Sequence, residues 1–77
     1  MKDFVAYLIK NLVDQPDHVN VDIFDGDRST ILEIRVANED IAKIVGRQGR
    51  TIKALRTIAM IVGARFNRKV RLEIVHE

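Results

Sequence analysis

Cysteine is absent from the 77-residue chain. No disulfide framework, thiolate nucleophile or cysteine-ligated metal can therefore be built from it, which fits a reducing compartment. Aromatic residues make up only 5% of the sequence, and Phe4, Tyr7, Phe24 and Phe66 are too scattered for a base-stacking platform. No long apolar span is present, and the start has an early acid at Asp3 and polar interruptions at Lys10 and Asn11. Neither an export signal nor a membrane segment is expected, and the expected location is the cytoplasm. A Ser-His-acid set is missing, His18 and His76 lack metal-ligand spacing, and no glycine-rich loop runs into Lys-Ser or Lys-Thr. The chain is expected to be neither an enzyme nor a holder of a metal or cofactor. Asp22, Asp25 and Asp27 surround a turn, where aspartate favours tight backbone geometry, so they are read as turn chemistry.

Acidic residues are also missing from one long stretch. Between Ile41 and Leu72 there is no Asp or Glu, yet Lys43, Arg47, Arg50, Lys53, Arg56, Arg65, Arg68, Lys69 and Arg71 all lie there. Residues 1–40 hold four basic and nine acidic side chains, and residues 41–77 hold nine basic and two acidic, so a net +2 conceals halves of −5 and +7. Clustered Lys and Arg release condensed counterions when they meet phosphates, so a polyanionic partner is one reading and a solvated basic face the other. With 47% hydrophobic and 31% charged residues, the composition is that of a water-soluble globule. The length allows one domain, residues 1–77.

Periodicity divides the chain. Phe4, Val5, Leu8, Ile9, Leu12 and Val13 recur at helical spacing, which predicts a helix over 2–14 stopped by Gln15-Pro16-Asp17. Val19, Val21 and Ile23, then Leu32, Ile34 and Val36, alternate with polar or outward residues around Asp25-Gly26-Asp27, which predicts a β-hairpin with a loop longer than two residues. Asn38 is the candidate N-cap of a short helix that Gly46 ends, with Glu39 and Asp40 at its positive end. A longer helix follows Gly49 to about Val62 with Gly63 as its C-terminal cap, and Val70 to Val75 reads as the last strand. The order is α-β-β-α-α-β. One sheet face carries Val19, Val21, Ile23, Leu32, Ile34, Val36, Val70, Leu72 and Ile74. The expected fold is therefore an α+β two-layer sandwich, with a three-stranded mixed sheet covered on one face by three helices.

The segment Ile44-Val45-Gly46-Arg47-Gln48-Gly49-Arg50-Thr51-Ile52 joins the two inner helices through a loop bracketed by glycines. Glycine permits left-handed backbone angles in so tight a corner, and its missing Cβ allows close approach. The N–H groups at the start of the following helix form an anion site, with Arg47, Arg50 and Lys53 adding charge beside it. Phosphates of a strand would then lie along the loop, with bases turned toward the apolar side of the short helix.

An aliphatic residue followed by Gly-x-x-Gly between two helices resembles the KH domain family. The element order is similar to that of its type II, prokaryotic members. The run Val45-Gly46-Arg47-Gln48-Gly49-Arg50-Thr51-Ile52-Lys53-Ala54-Leu55-Arg56 resembles the small bacterial single-KH proteins. The resemblance covers nearly the whole chain. It implies that Gly46 and Gly49 form a clamp on RNA backbone with Arg47 and Gln48 at its tip, Arg47 standing where Lys is commoner. It also implies that Val45 and Ile52 are core aliphatics and that Ile44 lines the groove receiving bases. The implied activity is broad binding of single-stranded RNA, about four nucleotides at a time, in RNA chaperoning or post-transcriptional regulation. Lys43, Arg50 and Lys53 complete the expected contact set. The resemblance further implies pairing with a second copy or with a larger Jag-type KH protein.

The longer helix offers a reason for such pairing. Ile52, Leu55, Ala59 and Val62 make one face, and Ala54, Ile58 and Ile61 continue the apolar arc to roughly half the circumference, wider than the ~100° stripe that covers one sheet face. The Ala54, Ile58 and Ile61 edge is the candidate protein interface, against lining of the RNA groove or internal packing. A competing function is a protein-interaction module with a KH-like fold and only incidental RNA affinity. Salt dependence separates the two, because phosphate-bound complexes weaken with salt.

Overall fold

Alternating apolar residues build the sheet, and the helices follow from where their apolar stripes can be buried. In the computed structural model, which describes residues 2–75, α1 spans Lys2–Lys10, β1 Asn20–Asp25 and β2 Ser29–Arg35. They are followed by α2 at Ile41–Val45, α3 at Arg50–Arg65 and β3 at Lys69–Ile74. The sheet order is β1-β2-β3, with β1 antiparallel to β2 and β3 parallel to it through the α2–α3 crossover. This is the expected α+β architecture of a mixed three-stranded sheet and three helices.

Register explains the core. Val21 lies opposite Ile34, and Leu32 is flanked by Ile23 and Leu72, so the central β2 residues Leu32 and Ile34 are completely buried. Val5 and Ile9 of α1, Ile44 of α2, and Ile52, Leu55 and Ala59 of α3 pack against that face. The helical layer thins toward the hairpin, so Ile23 stays 36% exposed although it points to the core side. Thr30, on the same face, is buried and donates its hydroxyl to Asp25 Oδ1 at 2.7 Å.

Several boundaries differ from the sequence expectation, each for a tertiary reason. Helix α1 stops at Lys10 rather than near residue 14. The Asn11 side chain donates to the Tyr7 carbonyl, and the N–H groups of Asp14 and Gln15 leave the helical path to reach the carboxylate of Asp40. Asn38 does not cap α2 with its side chain; it opens a 3₁₀ turn, Asn38–Asp40, and α2 begins at Ile41. Gly63 is not a C-terminal cap but lies inside α3, where a Cβ would stand 2.4 Å from Val70 Cγ2 and 2.9 Å from the Arg68 carbonyl oxygen. Its missing side chain is what lets α3 settle onto β3. Asp22 lies away from the hairpin turn and pairs across the strands with Arg35, its register neighbour being Glu33. His76 lies outside the described residues, and His18 is exposed.

Arg68 closes the far end of the fold. Its Nε donates to Thr30 Oγ1 at 2.8 Å, and its Nη2 donates to the carbonyls of Gly26 and Ser29 and to Asp25 Oδ1. One planar guanidinium thus pins the β1–β2 hairpin to the turn before β3, a geometry its fork of donors suits.

Asp40 is the buried acid that fixes the entrance to α2. Burial alone would raise its pKa, but the N–H groups of Asp14 and Gln15 and the nearby Lys43 ammonium outweigh that and hold it below the ordinary carboxylate value. A carboxyl whose folded pKa is depressed contributes stability at neutral pH that is lost as pH falls through the folded value. Thermal stability should therefore decline below about pH 4, the unfolded aspartate range. Asp40→Asn should lower the melting temperature at pH 7 and flatten that acid decline, as read by circular dichroism melts from pH 7 to pH 2. A variant that melts like the parent throughout would contradict the assignment.

Candidate functional site

Three positive-φ residues make the corner between α2 and α3. Gly46 has φ 77° and ψ 174°, Gln48 has φ 57° and ψ 25°, and Gly49 has φ 74° and ψ 16°. The chain leaves α2, makes one 3₁₀ turn over Arg47–Gly49 and enters α3 at Arg50. The two glycines have different duties. A Cβ on Gly46 would lie 2.2 Å from Thr51 Oγ1 and 2.9 Å from the Thr51 nitrogen, so this glycine is required by packing as well as by φ. Around Gly49 the nearest atom is 3.9 Å away, so only its left-handed angles select glycine. The close approach foreseen for a partner at Gly46 is thus made internally, by Thr51.

Within the corner the Gly46 N–H donates to the Ala42 carbonyl and the Gly49 N–H to the Gly46 carbonyl. Among the described residues, no side chain caps α3. The corner leads into the positive end of a 16-residue helix. Arg47, Gln48, Arg50 and Lys53 are exposed. Among the described residues, no carboxylate forms an ion pair with Arg47, Arg50 or Lys53. The arrangement suits an anion spread along a backbone, with amides giving direction and guanidinium groups giving charge.

Two residues of the expected contact set are placed differently. Lys43 is held by Asp14 and lies 3.7 Å from Asp40. The hydrogen bond it donates to Asp14 raises its pKa against the opposing effect of desolvation, and both carboxylates favour its charged form. Its charge is thus largely offset within the fold. Ile44 has no exposed surface and packs in the core, so it supports the corner from beneath and does not line a groove. The apolar stripe of so short a helix is consumed by the sheet.

A groove that the sequence did not reveal runs between α3 and β3. It measures about 370 Å³ and is lined by Arg56, Met60, Val70, Arg71, Leu72 and Glu73. The free edge of β3 forms one wall: Lys69 and Val75 donate their N–H groups to Arg28 and Ile34 on the β2 side. In a parallel pair alternate residues face the partner strand, so Val70 and Leu72 turn their backbone groups outward. Arg50, Lys53, Arg56 and Met60 follow one another at helical spacing from the corner to this groove. Only the register of β3 reveals this juxtaposition, which no local motif encodes.

Other clusters are less organised. Among the described residues, no group of three or more His, Cys, Asp or Glu side chains is placed to hold a metal, and no helix is long and apolar enough to cross a membrane. On α3, Ala54, Ile58 and Ile61 all face solvent, Ile61 being 60% exposed, while Ile52, Leu55 and Ala59 are buried.

A model of the KhpA/KhpB KH domain matches residues 2–74. The chain is 52% identical over its whole length to an RNA-binding protein KhpA of Chlamydia caviae, covering 99% of that protein. It is 42% identical to the KhpA of Borreliella burgdorferi, the match covering 95% of this chain and 89% of the relative. The KhpA of Aquifex aeolicus is 39% identical over 97% of this chain and 95% of the relative. Among solved structures, the crystal structure of Era from Aquifex aeolicus superposes with a TM-score of 0.62 at 21% identity. That match covers 95% of this chain and 28% of Era, and it speaks to fold alone. With the family model and relatives of its own length both in agreement, the chain belongs to the KhpA/KhpB KH-domain family.

Proposed function

We propose that this chain is a single KH domain that binds single-stranded RNA with slight sequence preference. Gly46, Arg47, Gln48 and Gly49 grip the phosphates, and Arg50 and Lys53 add charge. The observation that carries this reading is the corner itself. It combines two positive-φ glycines around an exposed Arg47-Gln48 tip, a helix start that no side chain caps, and exposed cations that no carboxylate among the described residues pairs with. Relatives of matching length named RNA-binding proteins support it. Most of the affinity comes from backbone contacts, which carry no sequence information. Such a binder, acting in the cytoplasm without catalysis, serves as an RNA chaperone or post-transcriptional regulator.

Gly49→Asp is the cleanest test, because Gly49 has open space around it and aspartate tolerates left-handed backbone. Gly46→Asp would collide with Thr51 and confuse binding with folding. The Gly49 variant should keep its circular dichroism spectrum and bind a short oligoribonucleotide roughly tenfold more weakly or worse, the equivalent of losing one hydrogen bond to a charged group. The slope of log affinity against log salt should also become shallower by roughly one unit for each cationic contact removed, as with Arg47→Gln. Unchanged affinity in the Gly49 variant would reject the grip.

A second reading concerns assembly, and the outward Ile58 and Ile61 favour it. The Ala54, Ile58 and Ile61 edge of α3 joins two copies of this chain, or this chain and a larger Jag-type KH protein. Ile61→Asp would place a charge in that contact, and light scattering should then report half the parent mass. An unaltered dimer, or a parent that is already monomeric, rules this edge out for self-pairing.

A further inference from the structure

The end of α3 remote from the corner gathers a second group of cations. Arg28 before β2, Arg65 in the last turn of α3 and Lys69 at the start of β3 are exposed, and no carboxylate among the described residues forms an ion pair with any of them. The fold brings two of them together, because the Lys69 N–H donates to the Arg28 carbonyl at 2.9 Å and so joins the hairpin to the turn after α3. Arg28 and Lys69 line a concavity of about 880 Å³ with Asn67 and Arg68, and Asp27 is the acid on its wall. Phe66 stands 69% exposed beside it, over an adjoining hollow of about 320 Å³ shared with Ile23 and Gly63. Arg68 belongs to the walls of both, so charge and aromatic surface are contiguous. Single-stranded nucleic acid needs that pairing, cations for its phosphates and a ring for a base. One ring is not a platform, but it stacks one base.

Two features set this end apart from the corner. Between Arg56 and Arg65 the chain has no charged residue, so no continuous cationic track joins the two. Arg50 and Arg65 open and close α3, about 22 Å apart along the helix axis. The negative end of the helix dipole also lies here, so side chains rather than backbone must supply the attraction.

Building on the RNA-binding reading above, we propose that Arg28, Arg65, Lys69 and Phe66 form a second contact for the same RNA. They take phosphates and one base of a segment outside the stretch held at the corner. A strand of about four nucleotides fills the corner alone. A longer strand engages both ends of α3, and its second contact is then intramolecular, at the high effective concentration that a short tether gives. Affinity for long strands rises through added cationic contacts, and not only through the number of registers a long strand offers.

The test is fluorescence anisotropy over a salt series with five-nucleotide and twelve-nucleotide oligo(U). The proteins are the parent, Phe66→Leu, and a triple variant carrying Arg28→Gln, Arg65→Gln and Lys69→Gln. In the parent, log affinity for the longer strand should fall with log salt about two units more steeply than for the shorter, as three cationic contacts to a single strand require. Extra registers alone would leave the two slopes equal. The triple variant should bring the longer strand to the slope of the shorter and weaken it about tenfold, with the shorter strand within about twofold of the parent. Phe66→Leu keeps an apolar side chain without the ring, so it should weaken only the longer strand, about fivefold, with the slope unchanged. Equal slopes in the parent, or a steep slope that survives in the triple variant, would overturn the second contact and leave these residues as a solvated face. A triple variant that weakens both strands equally would also overturn it, since one surface would then serve both. A parent that binds neither strand would instead refute the RNA-binding reading, and this inference with it.

Discussion

The approach of Thr51 to Gly46 is the contact on which the α2–α3 corner depends. Any side chain at Gly46 would push against the Thr51 hydroxyl and backbone nitrogen, so the first turn of α3 could not fold back over the end of α2. That turn sets the direction of a 16-residue helix. The helix in turn carries Ile52, Leu55 and Ala59 onto the sheet and Arg50, Lys53 and Arg56 along its solvent side. Packing and exposure of charge are thus two faces of one geometric requirement. The proposed RNA grip uses the same corner because it leads into the uncapped start of α3 and carries the exposed cations Arg47 and Arg50.

The rest of the fold holds that corner still. On one side Asp40, buried beneath the start of α2, accepts hydrogen bonds from Asp14 and Gln15 and has Lys43 beside it. A buried carboxylate with several partners is costly to disturb, since removing it would strand the donors it satisfies. At the other end Arg68 fixes the hairpin to the turn before β3, and Gly63 allows α3 to lie close on Val70. The entrance to α2 is therefore tied to the segment after α1, and the C-terminal part of α3 lies close on β3.

Much of this was legible in the sequence because the signals are local. Period-two alternation located the hairpin and the last strand, and the spacing around Gly46 and Gly49 located the corner. What escaped depended on distant partners. The end of α1 is decided by a carboxylate 26 residues from Asp14, and the charge of Lys43 is offset by an acid 29 residues away. The family resemblance implies that Ile44 lines a groove, yet three-dimensional packing places it wholly in the core. Gly63 sits where a helix cap would be expected, and only the proximity of Val70 reveals its other duty. The Arg56 groove requires the parallel register of β3 on β2, which no local pattern encodes.

The central claim is that the α2–α3 corner receives the RNA backbone. Titrating an unlabelled oligoribonucleotide into ¹⁵N-labelled protein and following amide chemical shifts addresses it directly. The account predicts that the largest changes fall on Arg47, Gln48, Gly49 and the first turn of α3. If those amides stayed fixed while residues around Arg28, Arg65 and Lys69 moved, the corner would not be the binding site.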